Sequence, residues 1–198
     1  MMAWIFEADL PASVPFGQVH VALYAYFPQI GHGESRPYVY RYLSPGRVAV
    51  LSALRPSAPA AREVRAHRGQ TLQFRLTWNR VRNVRGSYTR PDGSHRKRVP
   101  RAAVIADPEE LKARVAKFAA ARGGLVRYIR CERPRILQVP GRFEVPIVDS
   151  EGMVYVDDEA AFDRLLCLGG PGTSKAFGCG LWWLPELMAA PAAVRSVA

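Results

Sequence analysis

The segment TLQFRLTWN at residues 71–79 alternates apolar and polar residues, and it decides how the first half of the chain is interpreted. Its apolar residues are Leu72, Phe74, Leu76 and Trp78. A period of two is typical of a strand that buries one face, so we predict a strand over residues 71–79.

The segments before this strand favour a common α+β arrangement. We predict a strand at 3–9, an amphipathic helix at 16–27 that Pro28 ends, strands at 36–44 and 47–55 joined across Pro45-Gly46, and a short helix at 58–67. With the strand at 71–79, the order is strand, helix, strand, strand, helix, strand. This is the order of a ferredoxin-like unit.

The second half predicts a similar unit. A helix at 107–124 begins with an Asp cap and a proline and ends with glycines. Strands at 126–131, 136–139, 143–148 and 153–156, a helix at 157–168 and a final strand at 180–184 follow. The sequence therefore predicts an α+β fold of two tandem ferredoxin-like (RRM-like) domains at 1–101 and 102–188, with a tail at 189–198.

The charge of the chain points to a polyanionic partner. Its 198 residues include 28 Lys+Arg and 17 Asp+Glu, which gives a net charge of +11 and a pI near 10.1. Such a balance most often indicates nucleic acid. A hydrophobic content of 48% excludes a disordered chain.

Residues 80–101 concentrate this charge. The segment has eight basic residues and a single acid, with a Pro91-Asp92-Gly93 turn in the middle; the basic residues are Arg80, Arg82, Arg85, Arg90, Arg96, Lys97, Arg98 and Arg101. We predict a basic hairpin that contacts phosphates, with a solvated linker as the alternative.

The stretch LCLGGPGTSKAFGCGLWWL at residues 166–184 places five glycines around Lys175, which predicts a glycine-rich loop at 169–180. Such a loop can offer backbone amides to an anion. Thr173-Ser174-Lys175 reverses the order of a phosphate-binding P-loop, and the predicted order is helix, loop, strand, so a nucleotide triphosphatase is not indicated. The alternative is a plain helix-to-strand connection.

No apolar run approaches the ~20 residues that span a bilayer. The amino terminus has acids where a signal peptide has basic residues, so we expect a cytoplasmic protein. Cys131, Cys167 and Cys179 lack CxxC spacing and predict neither a disulfide framework nor a zinc site, and we expect no metal and no cofactor.

Four motifs together resemble the CasE group of CRISPR-associated RNA endoribonucleases, of the repeat-associated mysterious protein superfamily. They are GQVHVALYAYFP at 17–28, LQFRLTWNRVR at 72–82, KRVP at 97–100 and GPGTSKAFGCGLWWL at 170–184. The resemblance covers nearly the whole chain. It implies two tandem ferredoxin-like domains and processing of precursor CRISPR RNA in type I-E systems.

The resemblance also implies a mechanism and partners. A repeat hairpin would lie on the basic face, and metal-independent cleavage at the stem base would leave a 2′,3′-cyclic phosphate and a 5′-hydroxyl. The product would stay bound and pass to a class 1 CRISPR effector complex. A guide-RNA-binding subunit that does not cleave is the alternative, and a non-CRISPR RNA-binding protein with an RRM-like sheet is a third.

His20 matches the catalytic histidine of the family. Relatives often carry a tyrosine three residues before this histidine, where this chain has Gly17, so the resemblance does not identify a second catalytic group. Tyr24 and Lys175 are the candidates, with packing and a solvated loop charge as their respective alternatives. The predicted RNA-binding residues are Arg75, Arg80, Arg82, Arg85, Arg90, His95, Arg96, Lys97, Arg98, Arg101, Gly172, Ser174, Lys175, Gly178 and Gly180.

Overall fold

The computed structural model of the chain describes residues 2–30, 36–89, 95–139, 143–171 and 178–188. Of residues 82–89, 95–103, 139 and 143, it describes the backbone alone. The elements are, in chain order, β1 (Ala3–Asp9), α1 (Val19–Ala22), β2 (Tyr38–Ser44), β3 (Arg47–Ser52), β4 (Arg62–Val64), β5 (Thr71–Asn79), β6 (Val81–Thr89), β7 (His95–Val104), α2 (Pro108–Ala120), β8 (Gly124–Cys131), β9 (Arg135–Val139), β10 (Phe143–Val156), α3 (Glu159–Leu168) and α4 (Pro185–Met188).

The first sheet is antiparallel with strand order β2-β3-β1-β4. The predicted helix between β1 and β2 is present, as α1 flanked by 3₁₀ turns at Phe16–Gln18 and Leu23–Tyr26. It ends before Pro28, as expected. The strand order β2-β3-β1-β4 is that of a ferredoxin-like unit.

The predicted helix at residues 58–67 is wrong, because part of this segment forms β4. Val64 pairs with Ala3 and Arg62 with Ile5 at the free edge of β1. The side chain of Val64 is buried in the core. Pairing with β1 therefore outweighs the local preference of an alanine-rich segment for a helix.

The second sheet contains β5, β10 and β8 in that order, and β9 pairs with the first part of β10. The strands predicted at 143–148 and 153–156 are thus one continuous strand, β10. A bridge between Arg75 and Trp183 adds the end of the glycine-rich region on the other side of β5. Without β9 and the β6–β7 hairpin, the order along the chain is β5, α2, β8, β10, α3 and a final paired segment. This again is strand, helix, strand, strand, helix and strand-like segment.

The strand β5 was predicted correctly but assigned to the wrong sheet. It pairs with β10 from Asn79 opposite Ile147 to Thr71 opposite Tyr155, so it opens the second unit and β4 completes the first. Alternation predicts which face of a strand is buried, but it does not name the partner strand. The predicted division at residue 101 stays a prediction, and the pairing favours a junction between β4 and β5.

The final segment does not form the predicted strand. Trp183 exchanges two backbone hydrogen bonds with Arg75, of 2.8 and 2.9 Å. Pro185 then begins α4, which stops the ladder after this one pair.

The basic segment forms a two-stranded antiparallel hairpin of its own, as predicted. Its ladder runs from Val81 opposite Val104 to Thr89 opposite His95, with a shift between Gly86 and Ser87. At its base, Ile105 N–H donates to the Arg80 carbonyl at 2.8 Å. The hairpin is therefore an insertion between β5 and α2.

One apolar core joins the two units. Phe162, Leu165 and Leu166 of α3 pack in the same cluster as Ile5 and Val39 of the first sheet and Phe74, Leu76, Val154 and Trp182 of the second unit. The opposite face of the first sheet is covered by the α1 region through Val19, Leu23 and Phe27. Because α3 contributes to both units, burial of these side chains fixes how they sit together.

The described part of the chain contains no helix with the length and apolar content needed to cross a membrane.

Candidate functional site

His20 lies on α1 with a half-buried side chain. The Tyr38 hydroxyl of β2 donates a hydrogen bond to the His20 backbone carbonyl. Burial raises the pKa of Tyr38 well above its usual range, so this hydroxyl keeps its proton near neutral pH. The turn that carries His20 is therefore attached to the first sheet.

Tyr24, the proposed partner of His20, lies one turn further along the same helical segment. Its ring meets the Tyr38 ring edge-on, with centroids 5.7 Å apart. On its other side, Tyr38 stacks on Phe27 at 5.0 Å with an interplanar angle of 8°. Tyr38 thus contacts both predicted catalytic residues of the helix, and the half-buried Tyr24 keeps part of its surface in solvent.

The two ends of the glycine-rich loop are fixed to the strands beneath them. Gly170 N–H donates to the Gly180 carbonyl, and Gly180 N–H donates to the Thr77 carbonyl of β5 at 2.7 Å. The amide of Gly180 therefore already has an acceptor within the fold. The predicted residues Gly172, Ser174 and Lys175 lie outside the described residues.

The end of this loop meets the start of the helical segment that carries His20. Gly178 has a φ of +78° and lies against the Tyr42 ring, which a Cβ would approach to 3.0 Å. Tyr42 in turn stacks on Phe16 with centroids 4.9 Å apart, and its hydroxyl donates to the Phe16 carbonyl at 3.3 Å. The loop and the helical segment are thus neighbours, as a shared site requires.

Cys179, the residue after Gly178, is buried beside the contact between Gly178, Tyr42 and Phe16. It packs with Val145, Ile147 and Phe16, and burial raises the pKa of its thiol to about 12. Cys167 is also buried, Cys131 is half-buried, and all three described cysteines are free.

A cleft of about 680 Å³ lies beside this contact, between the first and second sheets. Its lining includes Phe16, Arg41, Tyr42, Arg75, Asp149 and Gly178. The Arg41 guanidinium lies over the Trp183 ring, 5.7 Å from the centroid. Burial and, to a smaller extent, the nearby Arg75 lower the pKa of Arg41, whereas Asp149 raises it.

The sequence did not single out Arg41. It stands among tyrosines on β2, and no spacing or motif separates it from an ordinary surface arginine. Its position depends on Trp183, which comes from the far end of the chain.

Asp149 is one of three acids that line the cleft, with Glu132 and Glu151, and its oxygens are already engaged. Arg135 binds Oδ2 through Nη2 at 2.7 Å and through Nε at 2.8 Å, and the Thr77 hydroxyl donates to Oδ1. This carboxylate is therefore held in place by two neighbouring strands, β5 and β9.

The predicted RNA-binding residues with basic side chains on β5 and in the basic segment fall into three groups. Arg75 is exposed on β5 at the cleft, whereas the half-buried Arg80 donates to the Ile105 carbonyl at 3.1 Å and holds the base of the hairpin. Arg90 lies outside the described residues. The others are placed by backbone alone on β6 and β7: Arg82, Arg85, His95, Arg96, Lys97, Arg98 and Arg101.

Two further observations complete the site. His67 is exposed, with Nδ1 3.6 Å from a Glu159 carboxylate oxygen. Within the described ranges, no three His, Cys, Asp or Glu side chains group so that they could hold a metal ion.

A family model described as CRISPR associated protein matches residues 15–185, so the chain belongs to this family. The match runs from the start of the His20 helical segment to the end of the glycine-rich region. Comparison with curated protein sequences gave no match.

The fold is that of solved CRISPR-associated proteins. Thermus thermophilus Cse3, bound to an RNA representing a pre-cleavage complex, superposes with a TM-score of 0.70 at 20% identity, covering 96% of this chain and 100% of that one. Cas6e from Escherichia coli K-12 gives 0.65 at 21% identity, with 93% and 98% covered. A chain of a CRISPR RNA-guided surveillance complex gives 0.60 at 16% identity, with 91% and 98% covered.

Proposed function

We propose that this protein is a CRISPR-associated endoribonuclease of the CasE group that binds repeat hairpins in precursor CRISPR RNA and cleaves at the base of the stem. The observation that carries the proposal is the Phe16–Tyr42–Gly178 contact, which brings the glycine-rich loop to the helical segment of His20. The family match and the fold shared with Cse3 support it.

His20 is the proposed general acid–base group. In the proposed reaction, the ribose 2′ oxygen attacks phosphorus, the bond to the 5′ oxygen breaks, and the products are a 2′,3′-cyclic phosphate and a 5′-hydroxyl. A histidine can accept the 2′ proton or supply a proton to the 5′ oxygen near neutral pH. His20 is half-buried, so part of the residue remains accessible to solvent.

Tyr24 and Lys175 are the proposed further groups of this reaction. The Tyr24 hydroxyl can donate or relay a proton, and the Tyr24 ring contacts Tyr38, the residue that also binds the His20 carbonyl. The Lys175 ammonium can offset the charge that develops on the phosphate oxygens. With these groups the chain needs no metal for the chemistry we propose.

We propose that the basic hairpin binds the RNA stem. Its two strands of 9 and 10 residues form an arm of about 30 Å, and they bring six of the eight predicted arginines and lysines of the segment onto paired strands. Contacts of this kind to phosphates supply affinity and position the RNA, and they carry no sequence information.

We further propose that the protein keeps its product and delivers it to a class 1 CRISPR effector complex. The fold shared with a chain of a CRISPR RNA-guided surveillance complex supports this step. Retention is also the expected behaviour of a strongly positive protein with a net charge of +11.

The proposal is tested by incubating the purified protein with its own repeat RNA in excess chelator and analysing both RNA ends. Cleavage at one phosphodiester at the stem base, with a cyclic phosphate and a 5′-hydroxyl, is expected. Tight binding with no cut would support the alternative, a non-cleaving guide-RNA subunit. Failure to bind repeat RNA would contradict both.

A further inference from the structure

The cleft between the sheets presents two arginines, Arg41 and Arg75, that form no ion pair with any carboxylate of the described residues. Among the described residues, no acid lies within 4.0 Å of the guanidinium nitrogens of Arg41 or Arg75. Three acids also line the cleft: Asp149 is bound by Arg135 and Thr77, Glu151 lies 3.8 Å from Arg130, and Glu132 is exposed. Two like charges that share a partly buried cleft repel each other, so an incoming anion would stabilise both.

Arg41 is also held in one place. Its guanidinium lies over the Trp183 ring, and the same arginine stands on β2, whose Tyr38 and Tyr40 are buried in one cluster with the α1 region. Stacking on an aromatic face leaves the edge of a guanidinium group free to donate a forked pair of hydrogen bonds. Such a preordered fork matches the oxygens of a phosphate group.

The same cleft has an aromatic wall beside these arginines. Phe16 and Tyr42 stack on each other, and Leu137 and Ile147 add apolar surface. Aromatic side chains of this kind are the surface on which unpaired bases stack. The lining thus combines a site for a phosphate with a site for a base.

We propose that this cleft holds one unpaired nucleotide of the bound RNA, with its phosphodiester against Arg41 and Arg75 and its base against Phe16 and Tyr42. A volume of about 680 Å³ suits a ligand of that size but not a duplex. The inference rests on the proposed RNA-processing function. The cleft shares Phe16, Tyr42 and Gly178 with the contact between the loop and the helical segment, but His20 is not among its lining residues. The occupant would be a single-stranded nucleotide that flanks the repeat stem.

The experiment compares two RNAs, a repeat hairpin with its single-stranded flanks and the same hairpin without them, both made uncleavable by 2′-deoxy substitution at the cut site. Arg41→Lys keeps the charge and removes the fork, and the exposed Arg75→Ala removes one charge without touching the core. Arg68→Ala, at an exposed loop position, is the matched control for charge. Dissociation constants are measured over a range of salt, and inorganic phosphate and a mononucleotide serve as competitors.

Each cleft variant should bind the flanked RNA about tenfold more weakly, with the bare hairpin affected no more than by Arg68→Ala. Arg75→Ala should also lower the salt slope for the flanked RNA by about 0.7. Equal effects on both RNAs, or no effect beyond the control, would overturn the inference while leaving the proposed function intact. If millimolar inorganic phosphate removes the tighter binding of the flanked RNA relative to the bare hairpin, the cleft is a site for a free anion instead. Failure of the unmodified protein to bind either RNA would overturn both proposals.

Discussion

The Tyr38 hydroxyl donates to the backbone carbonyl of His20, so a strand of the first sheet holds the turn that presents the proposed catalytic histidine. The Tyr38 ring is also buried between Phe27 and Tyr24, which leaves it little freedom to move. This one side chain therefore connects the stability of the unit to the placement of His20.

Replacing Tyr38 with phenylalanine should separate these two effects. The ring contacts stay, but a carbonyl loses its donor, and we expect the free energy of unfolding to fall by about 1–2 kcal/mol. The single-turnover cleavage rate should fall as well, because His20 is less firmly positioned. The measurement is made at a temperature where both proteins are fully folded, with the exposed Tyr128→Phe as the control. A lower stability with an unchanged rate would mean that Tyr38 serves the fold alone.

Tyr24→Phe tests whether the Tyr24 hydroxyl takes part in the chemistry. A proton-transfer group typically contributes at least ~100-fold to the rate, so a loss of this order is expected with RNA affinity and stability unchanged. Tyr26→Phe is the matched control, because Tyr26 lies on the same segment and its ring packs on Phe6 at 5.0 Å. Equal cleavage rates for Tyr24→Phe and Tyr26→Phe would show that Tyr24 serves packing alone.

Gly178→Ala should destabilise the protein more than Gly69→Ala. Both glycines have positive φ values, +78° and +91°, and share the backbone penalty of about 1–2 kcal/mol for any other residue. At Gly178 the new methyl group would also meet the Tyr42 ring at 3.0 Å, whereas at Gly69 no atom lies within 4 Å. Urea unfolding should show an additional loss of about 1 kcal/mol or more at Gly178. Similar losses of unfolding free energy for the two variants would show that the Tyr42 ring can move away from the added methyl group at little cost.

Alanine at Arg96, Lys97 and Arg98 together should weaken binding of the repeat hairpin and flatten its salt dependence. Each lost phosphate contact removes about one unit from the slope of log K against log salt, so a decrease of about two to three is expected. The control carries the same charge loss at the exposed Arg68, Lys117 and Arg164. If both triple variants change the slope equally, net charge and not the hairpin determines the binding.

The strand pattern of the sequence predicted most elements but not their partners. The alternation of Leu72, Phe74 and Leu76 identifies β5, yet only the ladder to β10 shows that it begins the second unit. Likewise, the alanines near residue 60 favour a helix locally, but residues 62–64 pair with the free edge of β1 and form β4. Long-range pairing outweighs local preference in both cases.

The site shows the same division between local and distant information. A motif was enough to single out His20, because a short segment includes both the histidine and its aromatic neighbours. The engagement of the Gly180 amide by Thr77 depends on a segment far away in the sequence, and so does the placement of Arg41 over Trp183. No pattern within either segment could predict these contacts.

The central claim is that His20 performs the chemistry of RNA cleavage, and a single-turnover assay with repeat RNA in excess chelator tests it most directly. The exposed His67→Ala is the control. We predict that His20→Ala cleaves at least ~100-fold more slowly than the unmodified protein while it binds the RNA equally well, and that His67→Ala leaves the rate unchanged. Cleavage by His20→Ala at the rate of the unmodified protein would contradict the account.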